Sequence, residues 1–238
     1  MCGKFSAMMT WGEYCNLAGV STSGTDNGPD AMDPTKMLGT FTPMSNIPVL
    51  HLNVVGMRRI TPMRWGWYNH KLSDPRKGFS HLHARSEEID RTPTWIEPFR
   101  HSRGVVFTKA FNIGEELPNG KTKQWVCSRA DGQPVAIAVI YSAWDTSFGR
   151  IHTCVMVTTE SCPPLNMKDN RMPALLCDLE EIRTWLGETD DSMAEIKALL
   201  RPYDGSLVMR EQESSKPPSN PKKPKAFAET KETTPDLF

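Results

Sequence analysis

The chain has 238 residues, 38% hydrophobic and 24% charged, which suits one large domain or two small ones with a proper core and excludes a wholly disordered chain. Lysine plus arginine equals aspartate plus glutamate at 28 each, so no global charge marks a nucleic-acid binder, and any DNA site must be a local basic patch. No apolar run reaches the roughly 18 residues of a membrane span, and the opening Met-Cys-Gly-Lys-Phe lacks a signal-peptide core. The expected location is the cytoplasm, without membrane contact and with reduced thiols.

In chain order, Lys4 to Met8 reads as a strand. Thr10 then caps a short helix with Glu13 at the capping-box position, and Trp11, Tyr14 and Cys15 share one face of it. Residues 20 to 36 form a polar loop rich in Ser, Thr, Gly, Asp and Pro. Ile47 to Val55 alternates as a strand, and Arg59 to Trp67 leads into another. Gly104 to Phe107 is a short apolar strand, Asn119-Gly120 marks a turn, and Asp131-Gly132 marks a hairpin. Val135 to Tyr141 and Cys154 to Thr158 are β-branched, apolar and suited to buried strands. Asp178 caps a helix with Glu181 in the capping box, an apolar stripe of Leu179, Ile182, Trp185 and Leu186, and Gly187 at its end. A second helix runs from about Ser192 to Leu200 and stops before Pro202. The fold class is α+β: one domain over residues 1–210 with a strand-rich centre and peripheral helices. Residues 211–238 read as a disordered, Pro- and Lys-containing tail with a basic cluster at Lys222, Lys223 and Lys225.

None of the six cysteines forms a C-x-x-C pair, so no zinc knuckle or thioredoxin-like site is indicated, and no metal or cofactor is expected. Cys2 differs from the others by position. Removal of Met1 before a small residue would leave an α-amine of pKa about 7.7–8.0 beside a thiol of pKa about 8.5. A 1,2-aminothiol suits aldehydes: the amine forms a Schiff base, and the thiol closes a thiazolidine ring upon it. The same pair would suit the product end of an autoproteolytic cut. Trp65 and Trp67 flank Gly66 after Arg64, and either stack on unpaired bases or fill the core. His51, His101 and His152 carry no ligand spacing, and the 13 methionines read as core filling.

Several segments, in order from Met1 to about Leu200, resemble the SRAP (SOS response-associated peptidase) family. Met1 to Phe5 is similar to its M-C-G-R-[FY] opening, Met63-Arg64-Trp65-Gly66 to M-R-W-G-L, and His83-Ala84-Arg85-Ser86-Glu87 to N-A-R-A-E. Arg129 to Pro134 is similar to R-A-D-G-x-P, Val157 to Glu160 to the strand ending in L-T-T-x-A, and Asp169 to Pro173 to H-D-R-M-P. The resemblance implies an abasic-site sensor that binds single-stranded DNA and crosslinks to it through Cys2. It also implies lyase or autopeptidase chemistry. Arg64, Arg85 and Arg171 keep the pattern; with Lys4, Trp65 and Trp67 they are the implied DNA-binding residues.

The departures lie at the catalytic positions. Lys4 replaces an arginine and loses the bidentate fork. His83 stands for the family's Asn, and Asp169 for its His. Together they are expected to share proton transfer, with Asp169 raising the His83 pKa. The family's catalytic Glu, in G-[FY]-Y-E-W, falls on Ile113 without a gap and on Glu115 with a two-residue insertion. The implied catalytic set is therefore Cys2, His83, Glu115 and Asp169. The alternatives are a DNA-binding module that has lost its chemistry, or a phage or mobile-element accessory that binds or inhibits a repair or replication protein. Leu237-Phe238 resembles the ending of peptides that bind the bacterial sliding clamp, which would be a partner through the tail.

Overall fold

The computed structural model describes residues 2–21, 37–72, 74, 77–147 and 149–212. Most of the predicted loop at 20–36 and nearly all of the tail, including Leu237-Phe238, lie outside the described residues. The opening strand is brief: β1 (Phe5–Ser6) precedes α1 (Trp11–Ala18). The Thr10–Glu13 capping box forms in both directions, and Gly19 ends the helix at φ 64. Tyr14 and Cys15 face inward, and the Trp11 ring lies parallel to Tyr14 at 6.1 Å. β2 (Thr40–Phe41) follows, then the hairpin of β3 (Asn46–Leu52) and β4 (Arg58–Trp65). Val54 and Val55 belong to the exposed tip of that hairpin rather than to the predicted strand, because Asn53 Oδ1 accepts the Val55 and Met57 N–H groups and turns the chain.

After β5 (His83–Arg85) comes a helix that the sequence reading missed, α2 (Pro93–His101), with prolines at 93 and 98. The remaining elements are β6 (Arg103–Thr108), β7 (Ala110–Glu116), β8 (Thr122–Arg129), β9 (Val135–Thr146), β10 (Gly149–Glu160), β11 (Arg171–Pro173) and β12 (Leu175–Leu176). α3 (Leu179–Leu186), α4 (Met193–Ala198) and β13 (Leu207–Glu211) complete the described chain. Asp178 and Gly187 cap as predicted, although the Glu181 carboxylate accepts the Cys177 N–H rather than the Asp178 N–H, and Ser192 caps α4 with a full capping box. Leu179 does not join the buried stripe: at the first turn it is 58% exposed, while Ile182, Trp185 and Leu186 turn inward.

One sheet has the order β13-β8-β7-β1-β2 and a second has eight strands. In the second, the pairings β3–β4, β4–β10, β10–β9, β9–β6 and β6–β3 return to their start and close a ring. The ring has no free edge along those strands. β4 and β5 both run parallel to β10, with Cys154 opposite Trp65 and Met156 opposite His83. Ring and α3 meet at Gly104: a Cβ there would stand 2.5 Å from Val49 Cγ1 and 2.8 Å from the Leu50 carbonyl oxygen. The Gly104 carbonyl accepts the Trp185 indole N–H at 2.8 Å, so the helix's largest side chain is both buried and satisfied. The core runs between the sheets through Phe5, Phe111, Ile113, Trp65 and Met156.

Candidate active site

Cys2 leads into β1, and Phe5 is held opposite Phe41 and Phe111. The Asn112 N–H donates to the Lys4 carbonyl at 3.0 Å, extending the β1–β7 ladder toward the start of the chain. This anchoring carries Cys2 into the core, where it is 1% exposed and its thiol donates to the Lys4 carbonyl at 3.3 Å. Burial pushes the thiol up to about 11, against smaller opposing contributions from the Asn112 and Lys4 backbone. Cys127, opposite Phe111 on β8, is buried beside it and lifted to about 12, also by burial, with the nearby Cys2 and Cys162 thiols adding to the effect.

His83 on β5 reaches the same corner, with Nε2 2.8 Å from the Cys2 carbonyl oxygen. A carbonyl only accepts, so Nε2 carries the proton and Nδ1 keeps its lone pair. The ring stands edge-on to Trp65, 6.2 Å between centroids. Burial pulls the imidazole down to about 4; Asp169 favours the charged ring and is outweighed. Asp169 acts in the expected direction, raising the His83 pKa, but desolvation of the ring is larger and sets the net shift downward. Asp169 Oδ1 also accepts the Arg171 N–H at 3.0 Å.

The remaining predicted residues divide between the protein's interior and its surface. Trp65 is 0% exposed between Phe5 and His83, so it offers no ring face to a base and takes the core role. Trp67 is also buried, edge-on to Trp95 and Trp144. Arg64 is only 9% exposed and lies beside Tyr68; burial lowers its pKa. Arg171 is 11% exposed and committed to Glu87 through two bonds of 2.6 and 3.0 Å and to the Thr158 carbonyl at 2.6 Å. Arg85 is exposed and Lys4 half-buried, so these two are the more open cations of the set.

Ile113 is fully buried opposite Trp125, so the ungapped catalytic position holds a core residue. Glu115 shares its face two residues on. Its carboxylate accepts the Trp125 indole N–H at 2.8 Å and a Lys168 ammonium proton at 3.0 Å. These two contacts, Trp125 first, hold the Glu115 carboxyl below its ordinary range. Lys123 and Lys168 lie 4.7 and 4.8 Å from the Trp125 ring centre. The sequence reading missed Asn112, Trp125 and Lys168, although Lys168 adjoins the Asp169 motif and Asn112 sits inside the altered G-[FY]-Y-E-W segment. Among the described residues, no group of three His, Cys, Asp or Glu side chains is placed to hold a metal.

Fold and site together define an α+β body that holds the thiol of Cys2, near the start of the chain, in the same corner as the imidazole of His83 from β5. The sequence matches the SOS response associated peptidase (SRAP) family over residues 1–215, and the chain belongs to that family. "Abasic site processing protein YoaM" of Bacillus subtilis is 30% identical over 177 residues, covering 73% of this chain and 76% of that protein. "Abasic site processing protein HMCES" of Rattus norvegicus is 26% identical over 250 residues, covering 86% and 69%. Among solved structures, a protein from Bordetella bronchiseptica superimposes with a TM-score of 0.68 at 21% identity, covering 89% of this chain and 99% of that one. One from Bacteroides thetaiotaomicron gives 0.65 at 20%, covering 88% and 91%. Both share the fold. Among the described residues, no helix is long and apolar enough to cross a membrane.

Proposed function

We propose that the chain, once Met1 is removed, captures abasic sites in single-stranded DNA as a thiazolidine through Cys2. The observation that carries this reading is the 2.8 Å contact between His83 Nε2 and the Cys2 carbonyl, which fixes an imidazole against the residue that bears the thiol. The family and the names of its relatives supply the substrate class. The α-amine adds to the C1′ aldehyde of the ring-opened sugar, and the carbinolamine loses water to give an imine. The thiol then adds across that C=N bond; one C–N and one C–S bond have formed, one water has left, and no redox change occurs. A buried, neutral His83 begins as a base: its Nδ1 takes the thiol proton and returns it to the departing hydroxyl or the imine nitrogen. Asp169 stabilises the imidazolium formed in passing. Glu115, bound to Lys168, remains a carboxylate that orients positive charge at the rim.

The test is intact mass spectrometry for loss of Met1, followed by a denaturing gel after incubation with an abasic oligonucleotide. Wild type should give a heat-stable band. Cys2→Ala retains only the amine, so its imine should hydrolyse on heating. No band from wild type overturns the reading. The apolar Ile113 at the family's Glu position favours a second reading, strand binding without the crosslink, which that same outcome would promote. A clamp contact through Leu237-Phe238 would tether either activity at replicating DNA, and a pull-down comparing full-length protein with a version ending at Pro235 checks it.

A further inference from the structure

Trp67, which follows Gly66, lines a cavity of about 490 Å³, within the range of small-ligand sites. Trp144 and Tyr68 form its floor, their rings nearly parallel (29°) and 5.2 Å apart. His70 stands edge-on to both, at 4.5 Å from Tyr68 and 5.0 Å from Trp144. The floor is fixed before any ligand arrives: the Trp144 indole N–H donates to Thr153 Oγ1 at 2.8 Å, and Trp67 braces Trp144 edge-on at 5.5 Å. A rigid aromatic floor loses little entropy on binding.

We propose that this cavity receives one unpaired base of the strand whose lesion is held at Cys2; the inference rests on the function proposed above. Three observations point to DNA. The first is continuity. Trp67 and His81 each stand two residues from the site's Trp65 and His83, roughly 7 Å along an extended chain. They are tied together by the Trp67 N–H to His81 carbonyl bond of 2.8 Å and the Ser80 N–H to Trp67 carbonyl bond of 3.0 Å. The second is charge. Lys71 and two imidazoles line the cavity, and its one carboxylate, Glu97, lies 3.8 Å from both Arg100 and His101. A phosphate at the rim meets no uncompensated anion. The third is shape. Parallel and edge-on rings suit a planar heterocycle, and every base presents a π-face, so the site tolerates any base. Asn69 and Ser142 supply donors and acceptors without a fixed pattern for one base edge.

The experiment uses full-length protein and single-stranded oligonucleotides carrying 2-aminopurine, moved one position at a time, with and without an abasic site. One position should be quenched on binding to wild type. Tyr68→Ala should lose that quench and bind undamaged strands about tenfold more weakly, and Tyr68→Phe should restore both. Thermal unfolding of each variant verifies the fold, and His70→Ala gives a second reading if Tyr68→Ala unfolds. A crosslink from wild type with no position-specific quench overturns the base site and leaves the Cys2 chemistry standing. A quench that depends on Tyr68 without any crosslink supports the base site and overturns the crosslink. Absence of both overturns both.

Discussion

The Cys2 corner, just ahead of β1, and the Glu115 cluster, on the adjacent strand β7, have opposite electrostatics. At Cys2, burial has raised a thiol and lowered an imidazole, so both groups are held toward their neutral forms. At Glu115, a carboxylate, an ammonium and an indole satisfy one another in a half-buried setting, and the groups stay charged. Desolvation decides the first region and pairing the second. Under the proposed function this difference becomes a division of labour, in which the neutral corner would make bonds and the charged cluster would keep the rim in place.

The sharpest way to break that division is Cys2→Ala, which should abolish the heat-stable adduct while leaving undamaged single strands bound; loss of binding as well would merge the two roles. His83→Ala comes next and should slow adduct formation by about 10²- to 10⁴-fold at neutral pH, measured by quenched time points on gels. His83 also gives a pH signature. Its folded pKa of about 4 lies below the ordinary 6.5, so the unfolded chain takes up the proton first. Stability is unaffected by this group well above pH 6.5 and falls as the pH drops from there toward 4. Acid unfolding of His83→Asn should lose that leg, and an unchanged acid limb would place the burden on other groups.

Smaller effects sharpen the charged side. Glu115→Gln should lower the denaturant midpoint only slightly, with the adduct rate nearly intact. A loss of rate by a hundredfold would return Glu115 to the catalytic set. Arg85→Ala and Lys4→Ala should each reduce the slope of log affinity against log salt by about one, with little change in stability. Arg171→Ala should differ from them by destabilising the fold, since it leaves Glu87 without its bidentate partner.

Much of this was legible in the chain, for local reasons. Thr10, Asp178 and Ser192 declare helix starts because the capping hydroxyl or carboxylate must precede the third helical residue by three. Cys2 stood out by position and aminothiol chemistry, and the ordered motifs from Met1 to about Leu200 made it the candidate nucleophile. Helix α2 was not, because Pro98 interrupts the usual pattern while the chain ahead of it supplies no side-chain cap. Ring closure was hidden too, since pairing between β4 and β10 spans nearly ninety residues and leaves no local mark. The site's polarity was misread where it depended on burial: Asp169 was visible as a neighbour for His83, but the desolvation that outweighs it belongs to the packed fold. Of the two roles open to Trp65, burial selects the core, and it leaves Arg64 only 9% exposed, for the same reason.

The parallel alignment of β5 on β10 also sets a timetable. His83 cannot take its place until Met156 and its neighbours have left the ribosome, and at typical rates of synthesis those roughly 150 residues require about 8–30 s. Through that interval the start of the nascent chain has no His83 to hold the Cys2 carbonyl and no finished core to enclose its thiol. Under the proposed function, trimming of Met1 would belong to the time of translation, before the core closes around the Cys2 side chain.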